Sequence, residues 1–237
     1  MNDLVTCVSR LMVARAERQR AALSRLVTPS ALAGLLREIA RDEDGLRQIA
    51  ADSYPHPLGF DKYVLWSRYP AGRLRMHVWW PGDARGREHV HNHRFAFSSV
   101  VVAGLVRATL FQRDEGGRPH TRYLDSTPLR ADNWVLRPQE DVTLTPAATL
   151  EVGAGAAYSQ AALTFHQVAV ADELTVTLFL EGAVTRSYSE VLIPAGQRPA
   201  DREPRRPFSP EGLRERFELL SGVLHGGART VARRAFG

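Results

Sequence analysis

The sequence predicts an all-β barrel with helices at both ends, and three observations predict it. From Phe60 to Ile193 the period of the chain is two, in runs such as "KYVLWS", "RLRMHVWW", "LVRATLFQR" and "ELTVTLFLEG", as strands require. The runs are short and β-rich, and turn-forming stretches such as "PGDARG", "DEGGRP" and "RPQED" separate them with no helix between. About ten strands so spaced indicate a closed or sandwiched antiparallel architecture. Outside this span the period lengthens to that of a helix. A chain of 237 residues suits one main domain with additions. The expected division is a helical extension over 1–58, a barrel over 59–195, and an irregular strap with a C-terminal helix over 196–237.

The flanking elements follow from spacing and caps. Leu4, Val8, Leu11 and Met12, then Ala22 and Leu26, recur at helical intervals and leave other faces to the arginines. Thr28 before Pro29 reads as an N-cap and first-turn proline, opening a second helix through Leu32, Leu35, Leu36 and Ile39. The acidic "RDEDG" re-caps the chain for a short helix with Leu46, Ile49 and Ala50. The prolines and glycine of "SYPHPLGF" then end the helical region near residue 53. Downstream, "PAGQRPADREPRRPFSP" reads as a surface strap. Ser209 and Pro210 start a last helix with Leu213, Phe217, Leu220 and Leu224 on one face, stopped by Gly226-Gly227.

Composition removes several function classes. No apolar run approaches the length of a membrane span, and the N-terminus lacks the zones of a secretory signal, so a cytoplasmic protein with no membrane partner is expected. Cys7 is the only cysteine, which excludes an intrachain disulfide. The net charge is +5, and Lys62 is the only lysine. Because the arginines are interspersed with carboxylates and no groove-reading element accompanies them, no nucleic-acid partner is expected.

The densest chemical signal is "EHVHNHRFAFSS", residues 88–99. On a regular strand His89, His91, His93, Phe95, Phe97 and Ser99 share one face. Imidazoles turned into a barrel are costly to desolvate without partners. One metal ion satisfies several of them, and imidazole suits zinc, copper, iron and nickel.

The longer stretch "HNHRFAFSSVVVAG" resembles the first signature of the cupin superfamily, a His-x-His pair followed by an acidic residue and then by a hairpin-closing glycine. His91 and His93 match the pair and Gly104 the glycine, while Phe97 stands where the acidic ligand is expected. The second signature supplies another histidine from a late strand, and "GAAYSQAALTFHQV" offers His166, without the usual proline-glycine turn and trailing asparagine. Two histidines, no carboxylate and a distant third are similar to the cysteine-dioxygenase-like branch, whose iron is held by three histidines. The resemblance covers about residues 60–193. It implies a double-stranded β-helix (jelly-roll) barrel and one divalent metal on His91, His93 and His166, with Fe(II) favoured and Zn, Mn or Ni as alternatives. His89 is a candidate fourth ligand or a neighbour of the site.

Three neutral imidazoles leave an ion its full charge and open positions. An anionic, carboxylate-bearing substrate is therefore expected, held by an arginine clamp. Arg75 and Arg107 lie on candidate strands as substrate-binding residues, although parity does not fix which face they use. Gln160 joins them as a donor, Phe97 as an apolar wall, and Tyr158 as the candidate catalytic residue, on the parity of His166. The function implied is a non-haem iron oxygenase using dioxygen on a small polar metabolite. Its alternatives are a zinc- or manganese-type isomerase, lyase or hydrolase, and a non-catalytic sensor. The terminal helices either pack a homodimer or fold back on their own barrel.

Overall fold

The computed structural model describes residues 14–82, 88–200 and 203–226. The expected apolar positions Leu4, Val8, Leu11 and Met12 lie outside them. Helices α1 (Ala16–Leu26), α2 (Pro29–Arg41) and α3 (Glu43–Asp52) precede the sheets, and α4 (Pro210–Gly226) follows them. Side-chain oxygens cap three of these helices. Thr28 accepts from Ala31 N at 3.1 Å, Asp42 from Gly45 N at 3.1 Å, and Ser209 from Gly212 N at 3.0 Å. Each satisfies an amide that the first helical turn leaves unpaired. No helix among the described residues is long and apolar enough to cross a membrane.

Two antiparallel sheets form the body. The six-stranded sheet runs β1 (Tyr54–His56), β2 (Phe60–Ser67), β3 (Arg73–Trp79), β11 (Thr175–Glu181), β5 (Phe97–Ala103), β9 (Ala157–Gln160). The five-stranded sheet runs β10 (Phe165–Val170), β4 (Val90–His91), β12 (Ser189–Pro194), β6 (Leu105–Asp125), β8 (Leu136–Gly153), and β10 also pairs with β6. A ribbon of β7 (Asn133–Trp134) and β13 (Glu203–Pro204) ties the strap back to the barrel.

Two expected turns are not turns. β6 continues through "DEGGRP" and β8 through "RPQED". Arg113 and Arg118 both pair with Leu144, so the residues between them bulge from an unbroken ladder. Gly117 permits this, since a Cβ there would lie 2.5 Å from the Leu144 carbonyl carbon. Gly104, between β5 and β6, has φ +77°, and a Cβ would lie 2.7 Å from Leu174 O. Only glycine combines that left-handed backbone with so close an approach.

The six-stranded sheet is buried on both faces. Leu74, Met76 and Val78 on β3, with Leu178 and Leu180 on β11, turn outward against α2 and α4, where Leu32, Leu36, Leu213 and Phe217 complete the main hydrophobic core. The alternate positions Arg73, Arg75 and His77, with Thr177, Phe179 and Glu181, turn inward and line a cavity of about 1310 Å³ between the two sheets. The helices thus cover the apolar side of the sheet and leave its polar side for the interior.

Candidate metal centre

Three histidines converge on the cavity. The side-chain nitrogens that His91, His93 and His166 can offer a metal all lie within 4.8 Å of one another. Their ring centroids are 5.0 Å (His91 to His93), 4.4 Å (His91 to His166) and 5.0 Å (His93 to His166) apart. His91 on β4 faces His166 on β10 as a direct cross-strand pair. The chain then leaves the sheet. Asn92 locks the bend through Nδ2 to Glu190 Oε2 at 2.7 Å and by accepting from Glu190 N at 2.8 Å. His93 N donates to Ala162 O at 3.0 Å, and the chain enters the opposite sheet at Phe97. The run "HVHNHRFAFSSVVVAG", residues 89–104, reads as one strand in the sequence, whereas the structure divides it between two sheets, with His93 in the crossover.

Hydrogen bonds prepare the rings for a metal. His91 Nδ1 lies 2.9 Å from His89 O, a carbonyl that can only accept, so Nδ1 carries the proton and Nε2 keeps its lone pair. His166 Nδ1 has two partners, Thr164 O at 3.4 Å and the Gln160 amide at 2.5 Å. Gln160 Nε2, which also donates to Thr164 O at 3.2 Å, holds the His166 ring in place from behind. His93 Nε2 is buried without a hydrogen-bond partner. An orphaned imidazole nitrogen beside two oriented neighbours fits a divalent ion. Burial, and then the neighbouring histidines, hold the His93 and His166 basicities well below the ordinary imidazole value. Burial also lowers His91. All three are therefore neutral, as ligands must be.

The other candidate residues fall into different places. The ring of His89 is outside the three-histidine group, and this residue contributes its carbonyl instead, because it precedes the two-residue strand β4. Phe97 lines the cavity, stacked on Phe179 at 4.2 Å and edge-on to His93 at 5.1 Å. Apolar carbon thus occupies the position of the missing carboxylate. Tyr158 lines the same cavity, and burial pushes its hydroxyl basicity up. Gln160 is a correction, since it sits behind His166 as an orienting group; the turn at Ala161–Thr164 folds it back. Arg107 is another. It is exposed and paired with Glu151 at 2.5 Å, because its neighbours Val106 and Ala108 take the buried face of β6. Arg75 does face the cavity, held by Glu181 and lying 5.1 Å from the Phe95 ring and 5.5 Å from the Phe179 ring.

Several cavity residues carry no sequence signature. Glu181 is fully buried, with Arg73 Nε 3.0 Å from both its oxygens and Arg75 on the other side. Lys62, His56 and His120 also line the space. Glu88 accepts from Val168 N at 3.1 Å, but burial outweighs this bond and pushes its carboxyl up to about 8 from an ordinary 4.5. Between these values the folded state holds a proton that the unfolded chain releases. Stability is therefore full below the lower value and declines until the higher one is passed. Glu88→Gln, neutral throughout, is expected to remove this slope. Urea unfolding at about pH 5 and about pH 9 should show the variant gaining roughly 4 kcal/mol on the wild type over that window.

No protein-family model and no curated protein matches the chain. Solved structures show a likeness at low identity. Oxalate decarboxylase from Bacillus subtilis is 14% identical over 56% of this chain and 28% of its own, with a TM-score of 0.35. A structure of DMSP lyases is 17% identical over 53% and 48%, with a TM-score of 0.32. A cupin-like protein from Thermotoga maritima is 12% identical over 66% and 86%, with a TM-score of 0.30. The chain thus spans about half or less of the decarboxylase and lyase chains. The protein has a mostly-β fold of two antiparallel sheets, with helices before the sheets and one after them.

Proposed function

We propose that the protein is a metal-dependent enzyme of the three-histidine cupin type, an oxygenase that binds Fe(II) and acts on a small carboxylate-bearing metabolite. The observation that carries this reading is the convergence of three neutral imidazoles, one with an unpartnered buried nitrogen, on a cavity that also holds cationic side chains. His91, His93 and His166 would hold the ion. When bound, it supplies a Lewis-acid centre with open positions for substrate and dioxygen. Arg75 offers a charged donor to the substrate carboxylate. Phe95, Phe97 and Phe179 form a buried apolar cluster beside the histidines, which excludes bulk water. Tyr158, with its basicity raised, keeps its proton and acts as a hydrogen-bond donor rather than as a base.

Elemental analysis of protein purified without added metal is expected to find iron bound in proportion to chain. Oxygen-electrode assays with amino, hydroxy and thiol acids are expected to show uptake with one of these classes. Protein that takes up no divalent metal refutes the centre. Iron-loaded protein that consumes no oxygen with any of them refutes the oxygenase and leaves the centre standing.

A further inference from the structure

Lys62 is the only lysine in a chain with 31 basic residues, and it is 8% exposed and lines the cavity. It lies on β2 opposite His77 of β3 and opposite Tyr54 of β1, with Nζ 2.5 Å from the Tyr54 hydroxyl. Among the described residues no carboxylate forms an ion pair with it, and Glu181 is already shared by Arg73 and Arg75. A cation alone could have been an arginine, which the chain uses at every other basic position. An arginine cannot release its proton and present a nitrogen lone pair, and a lysine can.

We propose that Lys62 is a carbonyl-capturing amine that forms an imine with a small oxo acid whose carboxylate is held by Arg75. The Nζ lone pair makes the C–N bond, both Nζ hydrogens end on the former carbonyl oxygen, and that oxygen leaves as water, with no change of oxidation state. The Tyr54 hydroxyl is placed to relay those protons. Arg75 is two residues from His77, the register partner of Lys62. Diagonal neighbours of this kind lie about 7–8 Å apart, within reach of two long side chains. Arg75 Nε is buried without a partner, a donor left over for a carboxylate. Burial first, then Arg75, Arg73 and Arg205, push the Lys62 amine well below its ordinary value, with Glu181 opposing. A lowered amine basicity enlarges the share of the amine that carries a free lone pair.

This capture involves none of the three histidines, so it does not require the metal, although it shares Arg75 with the proposed oxygenase. The test treats the full chain with glyoxylate and cyanoborohydride near neutral pH and locates the reduced adduct by peptide mass mapping. The α-amine of the chain serves as the internal reference. Lys62 is expected to be labelled at least about tenfold faster than that α-amine. Acetaldehyde, which lacks a carboxylate, should show a smaller preference. The Lys62→Arg variant should retain only the terminal label, and labelling of Lys62 should persist after dialysis against a chelator. An unlabelled Lys62, or one labelled no faster than the α-amine, overturns the proposal. Equal preference for acetaldehyde overturns the role of Arg75. A failure here leaves metal content unchanged, and a failure to bind metal leaves the trapping unchanged, so the two readings fail separately.

Discussion

Alanine at His166 is expected to abolish stoichiometric metal binding while leaving the fold intact. The ring is 3% exposed and lies across the β4–β10 pair from His91, so its removal leaves two imidazoles from one short segment. Disturbing a residue that merely orients a ligand costs about 10–100-fold in metal affinity, and deleting the ligand should cost more. The main core lies on the other side of the six-stranded sheet and does not involve β10, so little packing energy is lost. Elemental analysis and metal titration of the purified variant would check this, with circular dichroism as the control for folding. Gln160→Leu is the graded companion, since it removes the bond to Nδ1 but keeps the ring. Its affinity should fall by about 10–100-fold rather than vanish. Unchanged metal content in His166→Ala would contradict the site.

The largest stability effect is expected at Glu181. Its side chain is fully buried between Arg73 and Arg75, and these two arginines are themselves 5% and 8% exposed. Burial, and then Arg73, already push Arg75 down to about 10, so it stays charged at neutral pH. Glu181→Leu leaves both guanidinium groups buried without their counter-charge, a class of change that costs about 3–5 kcal/mol. Urea unfolding should show that loss. Changing all three residues to apolar ones of similar size should recover much of it, because the desolvation cost goes with the charges. A loss in Glu181→Leu as small as that of a surface pair, about 1 kcal/mol or less, would show that water reaches the cluster.

The helices and the His91–His93 pair were legible because each rests on local chemistry. Caps such as Thr28-Pro29 and the pair His91 and His93 can be read within a few residues. The three-histidine grouping needed the resemblance, since nothing local joins His166 to the others. Other features depend on what the rest of the chain covers. The alternation in "RLRMHVWW" marks a strand with unlike faces, and by itself it turns the arginines to solvent. In the structure β3 is buried along its whole length, because α2 and α4 cover the apolar side and the second sheet encloses the polar one. For the same reason Arg75 and Arg107, equivalent in sequence, end in opposite environments. Lys62 and Glu181 belong to no motif, and only the pairing of β2, β3 and β11 side by side in one sheet brings them together with the arginines. The bulge after Arg113 escaped notice because its glycines match those of a turn.

The two-sided burial of the six-stranded sheet also bears on how such a protein can change over evolutionary time. Its strands present one series of residues to the helices and the alternate series to the cavity. Apart from the ionic cluster at Glu181, substitutions in the second series, such as one at Thr177, alter the chemistry of the chamber without touching the main hydrophobic core between sheet and helices. Selection can thus act on catalysis and on durability through adjacent residues of the same strand, and new specificity can arise in this scaffold by single steps.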